Sequence, residues 1–326
     1  LTIYRSTDTS LVPSNVSNPK TVVNDFGNGE YEIMLYTSTG TNHLNFSDVQ
    51  TLTNVSYISD NITNMSYTYC SCYNLTGQPV CGSNVTNMTS TYSDCPSLTG
   101  NPVCGDKVTS FFSTYEGCYK LTGSPVCGNN VTYMHSTYRG CSNLTGSPVC
   151  GPNVTNMNST YEGCSNLTGN PVCGDKVTNM YYTYSGCANL TGSPVCGPDV
   201  TTLYCTYANC HNLTGSPVCA IGVRSMAHTY ENCYKLTGNP VCGNIVKEMS
   251  RAYCNCYSLT GAPVCGNEVT SLWLTYTNCT NITGNPVCGP NVTSMYCTYQ
   301  NCWSLTGNPV CEDKVIDMDY TYSACY

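Results

Sequence analysis

Charge is what this chain has least of. Only 9% of its 326 residues are Asp, Glu, Lys or Arg, and the formal balance is −8. No basic face stands out, which excludes the electrostatic footprint of a nucleic-acid binder. The acidic excess is too weakly patterned for an interaction tail. No run of about 18 apolar residues exists, so no membrane-spanning helix is expected. Histidine is scarce: His43, His135, His211 and His228 are the four, and none recurs in a Ser-His-Asp or Cys-His arrangement. Phosphate-cradling glycine motifs and His-Glu-x-x-His are also missing. Acids stand singly on turns, as Asp106, Asp175 and Glu268 do beside Lys107, Lys176 or nothing, unlike an acid/base pair. The pairs Cys70-Ser71-Cys72 and Cys254-Asn255-Cys256 lack a second pair or histidines at zinc spacing. No catalytic residue, metal ligand or cofactor is expected, and the chain reads as a non-enzyme.

What the chain has is a period. One cysteine series runs Cys72, Cys95, Cys118, Cys141 and onward to Cys325; another runs Cys81, Cys104, Cys127, Cys150 and onward to Cys311. Every step in both is 23 residues, without insertion or deletion. Stacked coils explain this, because an extra residue breaks the ladder for both neighbours. Other columns keep the same step: Tyr69, Tyr92, Tyr115 and Tyr138; Met65, Met88, Phe111 and Met134; Leu75, Leu98 and Leu121; Val85 and Val108. Positions that are always large and apolar belong inside. Tyr92, Tyr115, Tyr138, Met88, Met134, Leu98, Leu121, Val85, Val108, Cys95, Cys118, Cys104 and Cys127 are therefore the expected core ladder. Packing explains the tyrosine column better than an aromatic stripe for a ligand.

Within the unit, Thr-Gly and the Gly/Asn after Val-Cys punctuate turns. The Pro-Val-Cys run is the strand candidate, with proline at its start or edge. The stretch Val-Thr-x-Met-x-x-Thr-Tyr-x-x-Cys has helical spacing but is too short and too rich in Thr, Ser and Asn for a helix. One loose or 3₁₀ turn is expected there. The fold class is thus a repeat solenoid with short parallel β-strands on one face, loops and 3₁₀ turns on the other, and little α-helix. Residues 56–326 form about twelve repeats, and residues 1–55 form a small β-rich N-terminal cap or assembly segment around the strand-like Glu30 to Tyr36.

Disulfides between the two cysteine series are excluded by reach. The extended stretch from Leu98 to Cys104 spans about 20 Å, beyond the roughly 7 Å limit for bridging. Equivalent cysteines in adjacent coils lie about 4.8 Å apart, but their parallel Cβ directions make bridging awkward. Buried thiols serving as small hydrophobes are the favoured reading.

The unit resembles the BspA-type leucine-rich repeat, whose pattern runs roughly Leu-Thr-x-Ile-x-Ile-Pro-x-x-Val-Thr-x-Ile-x-x-x-Ala-Phe-x-x-Cys-x-x. Leu144-Thr145-Gly146-Ser147-Pro148-Val149-Cys150, Val154-Thr155-Asn156-Met157 and Thr160-Tyr161-Glu162-Gly163-Cys164 follow it. The match covers about residues 60 to 326 and departs in its strand core, which reads Gly-Ser-Pro-Val-Cys rather than alternating isoleucines. The resemblance implies a leucine-rich-repeat solenoid of bacterial, protist or phage-encoded surface proteins that act as adhesins and interaction scaffolds. An extracellular or surface-exposed location (secreted, cell surface or virion) follows from it. Asn74, Asn84, Asn130, Asn143, Asn153, Asn166, Asn189, Asn212, Asn281 and Asn291 sit in Asn-x-Ser/Thr sequons, glycan acceptors in a secreted eukaryotic or archaeal protein.

The chain opens on Leu1 without a leader, as a processed or partial chain does, and stops at Cys325-Tyr326 midway through a unit. Leu1-Thr2-Ile3 resumes the pattern there, so head-to-tail assembly of copies through Leu1, Thr2, Ile3, Cys325 and Tyr326 is one expectation. A further C-terminal region covering that coil is the other. Two function classes follow: a structural scaffold assembling into a filament or appendage, with itself as partner, and an adhesin or virion fibre module binding a protein or glycan surface ligand.

Overall fold

The computed structural model describes residues 1–17, 19–38 and 40–325. It divides into two compact units, Leu1–Val154 and Thr155–Tyr326.

Unit 1 begins with an antiparallel sheet of four strands: β1 (Thr2–Ser6), β2 (Lys20–Asp25), β3 (Tyr31–Tyr36) and β4 (Leu52–Tyr57), in the order β2-β3-β1-β4. Alternation sets its faces, with Thr2, Tyr4 and Ser6 of β1 and Ile33 and Leu35 of β3 all buried. β1 is an inner strand, paired to β3 on one edge and β4 on the other. The Leu1 ammonium also donates to Ser59 Oγ at 3.2 Å. β1 is therefore hydrogen-bonded along both edges, so strand addition to Leu1, Thr2 and Ile3 by another chain has no free backbone edge. Cys325 Sγ bonds Tyr299 O at 3.0 Å within its own unit, and Tyr326 lies outside the described residues.

Stacking starts earlier than the cysteines suggest. His43 bridges Asn64 in parallel, Phe46 N donates to Thr68 O, and Phe46 stacks on Tyr69 with ring centroids 5.7 Å apart. Phe46 thus occupies the tyrosine column, and Thr53 O of β4 accepts from Thr76 N. The expected boundary at 55/56 therefore shifts to about residue 43. The first coil keeps the shape of the repeat without its cysteines.

Within each unit, successive coils are joined by backbone bonds on alternate residues. Met88, Ser90, Tyr92 and Asp94 each send an N–H forward, to the carbonyls of Ser110, Phe112, Thr114 and Glu116. The intervening N–H groups turn back within the coil, Thr91 to Met88 O, Ser93 to Ser90 O and Cys95 to Tyr92 O. Left-handed residues produce the alternation: Ser90 (φ 49) and Asp94 (φ 55) in this coil, and equivalents throughout. Asp94's column continues as Gly117 and Gly140 in unit 1 and as Asn209, Asn232, Asn255, Asn278 and Asn301 in unit 2, residue types that tolerate this region, before it ends on Ala324 (φ 58). Those five asparagines also form a side-chain ladder, in which Asn232, Asn255, Asn278 and Asn301 each donate Nδ2 to the preceding Oδ1 at 2.6–2.7 Å.

One expectation is corrected by this geometry. The parallel bridges fall on the Val-Thr-x-Met side, as Asn64↔Asn87 and Asn179↔Thr202, not on Pro-Val-Cys. Proline has no N–H to give a ladder, and the valine's groups go elsewhere. The same stretch carries single turns, such as Thr91 N to Met88 O, and none extends into a helix among the described residues, because every second N–H is swung out toward the next coil.

The valine's partner is the tyrosine column. Tyr92 Oη donates to Val80 O at 2.7 Å and accepts from Val80 N at 3.0 Å; Tyr207 does the same with Val195 at 2.7 and 3.0 Å. One phenol therefore closes these coils across their cores, and the rings stack between coils at 5.5–5.7 Å for Tyr92, Tyr115 and Tyr138. Such pairs contribute about 0.5–1.5 kcal/mol each beyond burial. Tyr92, Tyr115, Tyr138, Met88, Met134, Leu98, Leu121, Val85, Val108, Cys95 and Cys118 are all essentially buried.

The cysteines are thiols. Those of the inner series donate to a tyrosine carbonyl of the preceding coil, Cys95 to Tyr69 O and Cys118 to Tyr92 O, both at 3.0 Å. Burial pushes Cys95 and Cys118 far above the usual thiol range. Cys104 and Cys127 are only half-buried, so they form a margin of the core rather than its interior. Burial pushes Cys104 up to about 12 and Cys127 to about 11. Because the thiolate is the nucleophile, alkylation of native protein at pH 8 is expected to label the outer series slowly. The inner series is expected to react only on unfolding, read by mass spectrometry; prompt labelling of Cys118 in native protein would contradict the packing.

Candidate functional site: an exposed aromatic face on the second unit

The two residues between the Met column and the Thr-Tyr pair lie on the flank of each coil, where the small ones, such as Ser90, Ser136 and Cys205, are buried and the large ones reach solvent. In unit 1 the pairs are Ser66-Tyr67, Thr89-Ser90, Phe112-Ser113 and His135-Ser136, with serine at the second place of the last three. Unit 2 begins the same way with Asn158-Ser159, then changes to Tyr181-Tyr182, Tyr204-Cys205, Ala227-His228, Ser250-Arg251, Trp273-Leu274 and Tyr296-Cys297. The second residue of each pair is left-handed, from Tyr182 (φ 55) to Cys297 (φ 50). The forward N–H demands this conformation in every coil. Its strain, on the order of 1–3 kcal/mol per residue, therefore comes with the architecture. Unit 1 carries single aromatics here, with Tyr67 exposed and Phe112 meeting His135 edge-on at 5.0 Å; unit 2 makes them a longer row.

The face is built from contacts between neighbouring coils. Tyr181 stacks on Tyr204 at 4.9 Å and 10°, and Tyr182 meets Tyr181 edge-on at 4.6 Å. Tyr204 leads to His228 at 5.8 Å. His228 Nδ1 lies 2.6 Å from Glu231 Oε2, and Arg251 Nη1 donates to Glu231 Oε1 at 2.9 Å. Burial alone would raise the Glu231 carboxyl, but the hydrogen bonds from His228 and Arg251 and their charge outweigh it and hold it below its usual range. The Arg251 guanidinium lies over Trp273, 4.8 Å from the ring centroid. Arg251, Trp273, Leu274, Tyr296, Cys297, Gln300 and Tyr320 surround an open hollow of about 560 Å³. Burial pushes the Cys205 and Cys254 thiols up to about 11.

A second aromatic row runs alongside, one residue past the inner cysteines. His211 stacks on Tyr234 at 4.7 Å and Tyr234 on Tyr257 at 5.3 Å. Trp303, on the same column, is 56% exposed. Flat π faces, a guanidinium fixed by a carboxylate, and hydroxyls at ring edges are the groups enriched where proteins hold other molecules.

None of these residues was singled out from the sequence, where the aromatic reading was tested only on the core tyrosines. The signal was present as a change of composition in one column, from serine at 90, 113, 136 and 159 to Tyr182, His228, Arg251 and Leu274. The sequon asparagines lie elsewhere, on the turns. Asn74, Asn84, Asn130, Asn153, Asn212, Asn281 and Asn291 each donate Nδ2 to a backbone carbonyl of the coil before, at 2.9–3.0 Å. Asn143, Asn166 and Asn189 are exposed on the same kind of turn.

No family model and no curated protein sequence matches this chain. Among solved structures, it is similar to a leucine rich cell surface protein from Faecalibacterium prausnitzii, with 14% identity over 90% of this chain and 86% of that one and a TM-score of 0.46. It is also similar to a leucine-rich repeat protein from Bacteroides ovatus, with 13% identity over 93% and 90% and a TM-score of 0.39.

Proposed function

We propose that this chain is a non-enzymatic, surface-exposed interaction module. Its coils serve as a scaffold, and the aromatic face of unit 2 docks a protein or glycan ligand outside the cell. One observation carries the reading: a column that is serine in coil after coil becomes Tyr182, His228, Arg251 and Leu274, beside Tyr204 and Trp273. The scaffold does not need these residues, since serine serves the same backbone position in unit 1. Exposed aromatics and arginine are the residue types that dominate binding energy at interfaces. Of the two function classes the sequence suggests, this face favours the adhesin-like binding module over end-to-end assembly.

The test is binding of labelled full chain to whole cells, to a glycan array and to a surface-protein array. Trp273→Ala and Tyr204→Ala are expected to weaken retention at least about tenfold, while Ser136→Ala in unit 1 leaves it unchanged. Undiminished binding by both aromatic variants would remove the face from the function. Concentration-dependent self-association that Trp273→Ala abolishes would identify a second copy of the chain as the partner.

A further inference from the structure

Threonine is the rule at another outward-facing column. In unit 2, Thr178, Thr201 and Thr293 place Oγ1 on the carbonyl of the preceding coil at 3.1–3.2 Å, as Thr86 and Thr109 do in unit 1. Two consecutive coils of unit 2 break this rule with Arg224 and Lys247. Lys247 N donates directly to Arg224 O at 2.8 Å, so both side chains leave neighbouring rungs in register, about 4.8 Å apart at the backbone. Like charges set opposite each other in this way are destabilising, and each coil also forgoes its threonine hydrogen bond. Among the described residues neither cation makes an ion pair with a carboxylate. Arg224, Lys247 and the amides Asn244 and Asn267 share a hollow of about 370 Å³ with Ile245 and Glu268. Local rules broken without structural gain mark functional positions.

We propose that Arg224 and Lys247, with the Asn244 and Asn267 amides, bind an oxyanion: a sulfate, phosphate or carboxylate group. Two cations and two amide donors converge on one hollow, which suits a group with several acceptor oxygens. Glu268 on the rim opposes it and tunes the site toward weak, reversible capture. The source is either a free inorganic anion or an acidic group on a polysaccharide chain. The site uses none of the aromatic-face residues and stands or falls separately from that reading.

The experiment is calorimetric titration of the full chain with sodium sulfate and, in a second arm, with a sulfated polysaccharide such as heparin. Binding by either probe is expected to weaken at least about tenfold in Arg224→Thr/Lys247→Thr. The salt dependence of polysaccharide binding is expected to become shallower by about one for each cation removed. Because threonine is the native residue of the column, this variant is expected to keep or raise the thermal midpoint, so a loss cannot be laid to misfolding. Glu268→Gln is expected to tighten binding severalfold, while Trp273→Ala leaves it unchanged. Heat with sulfate alone names a free anion; heat with the polysaccharide alone names the polymer. Unchanged binding in the double threonine variant, no binding of either probe, or tighter binding of duplex DNA than of the polysaccharide would each overturn the proposal.

Discussion

Replacing Tyr207 by phenylalanine is expected to lower the stability of unit 2 by about 1–3 kcal/mol, although a single oxygen is removed from a fully packed ring. The ring remains stacked between Tyr184 and Tyr230 at 5.5 and 5.6 Å, so dispersion is nearly conserved. What is lost is the partner of two backbone groups at once, since Val195 N and Val195 O both rely on the phenol. Tyr207→Ala adds a cavity and removes both stacks, raising the expected loss to about 3–5 kcal/mol. The chain contains its own control. Tyr69 is equally buried, but its hydroxyl has no partner, because the residue twelve positions back, Tyr57, is committed to β4 and pairs with Ile3. Tyr69→Phe is expected to be neutral or stabilising. Thermal unfolding of the three variants decides the matter, and equal losses for Tyr69→Phe and Tyr207→Phe would show that the clamp contributes nothing.

Deleting one residue is expected to do more damage than deleting 23. Removal of residues 188–210 joins Cys187 to His211 and restores the unit sequence in full. Unit 2 then loses one coil and one coil–coil interface, on the order of a few kcal/mol in a nearest-neighbour stack. Removal of Ala208 alone shifts every following residue of that coil by one place. The left-handed position of Asn209 (φ 63) then falls to Cys210, and the inward thiol is turned out. The forward bonds that straddle the deletion, Gly186 N to Ala208 O and Asn209 N to Glu231 O, lose register, and Cys210, Leu213 and Val223 leave their buried columns. Lost hydrogen bonds at about 1 kcal/mol each add to about 1.5–3 kcal/mol for each large apolar side chain turned out of the core. Circular dichroism and a melting curve on both deletions give the comparison, and a higher midpoint for the Ala208 deletion would refute the register argument.

The core was legible in the sequence because burial imposes one residue type on each column. Tyr92, Met88, Leu98, Val85 and Cys95 could be placed inside from spacing alone. Backbone conformation was not legible in the same way. Ser90, Ser113 and Ser136 take the left-handed region because each forward N–H requires it, and serine carries no signal of that choice. Pro-Val-Cys resembles a strand by composition, yet its valine is held by a side chain twelve residues away, a contact no local window contains. The first coil was missed because Phe46 and Leu52 keep the shapes of the repeat while the cysteines that announce it are absent. At the candidate site, attention to the columns that never vary hid the column that changes along the chain.

The forward-pointing amides also restrict symmetry. In the coil of Met88 four peptide groups send N–H toward the next coil, and in those of Phe111 and Met249 three do, whereas fewer, such as Thr99 to Gly77 O and Thr109 to Thr86 O, run the other way. A coil therefore has unlike sides, one richer in donors and one richer in acceptors. A two-fold axis brings like sides together, donors against donors, so coil faces of two copies cannot pair through these rows in an isologous dimer. Any association that uses the backbone rows must be heterologous, with one sense of direction along the stack. Symmetric pairing, where it occurs, is left to side chains on the flanks.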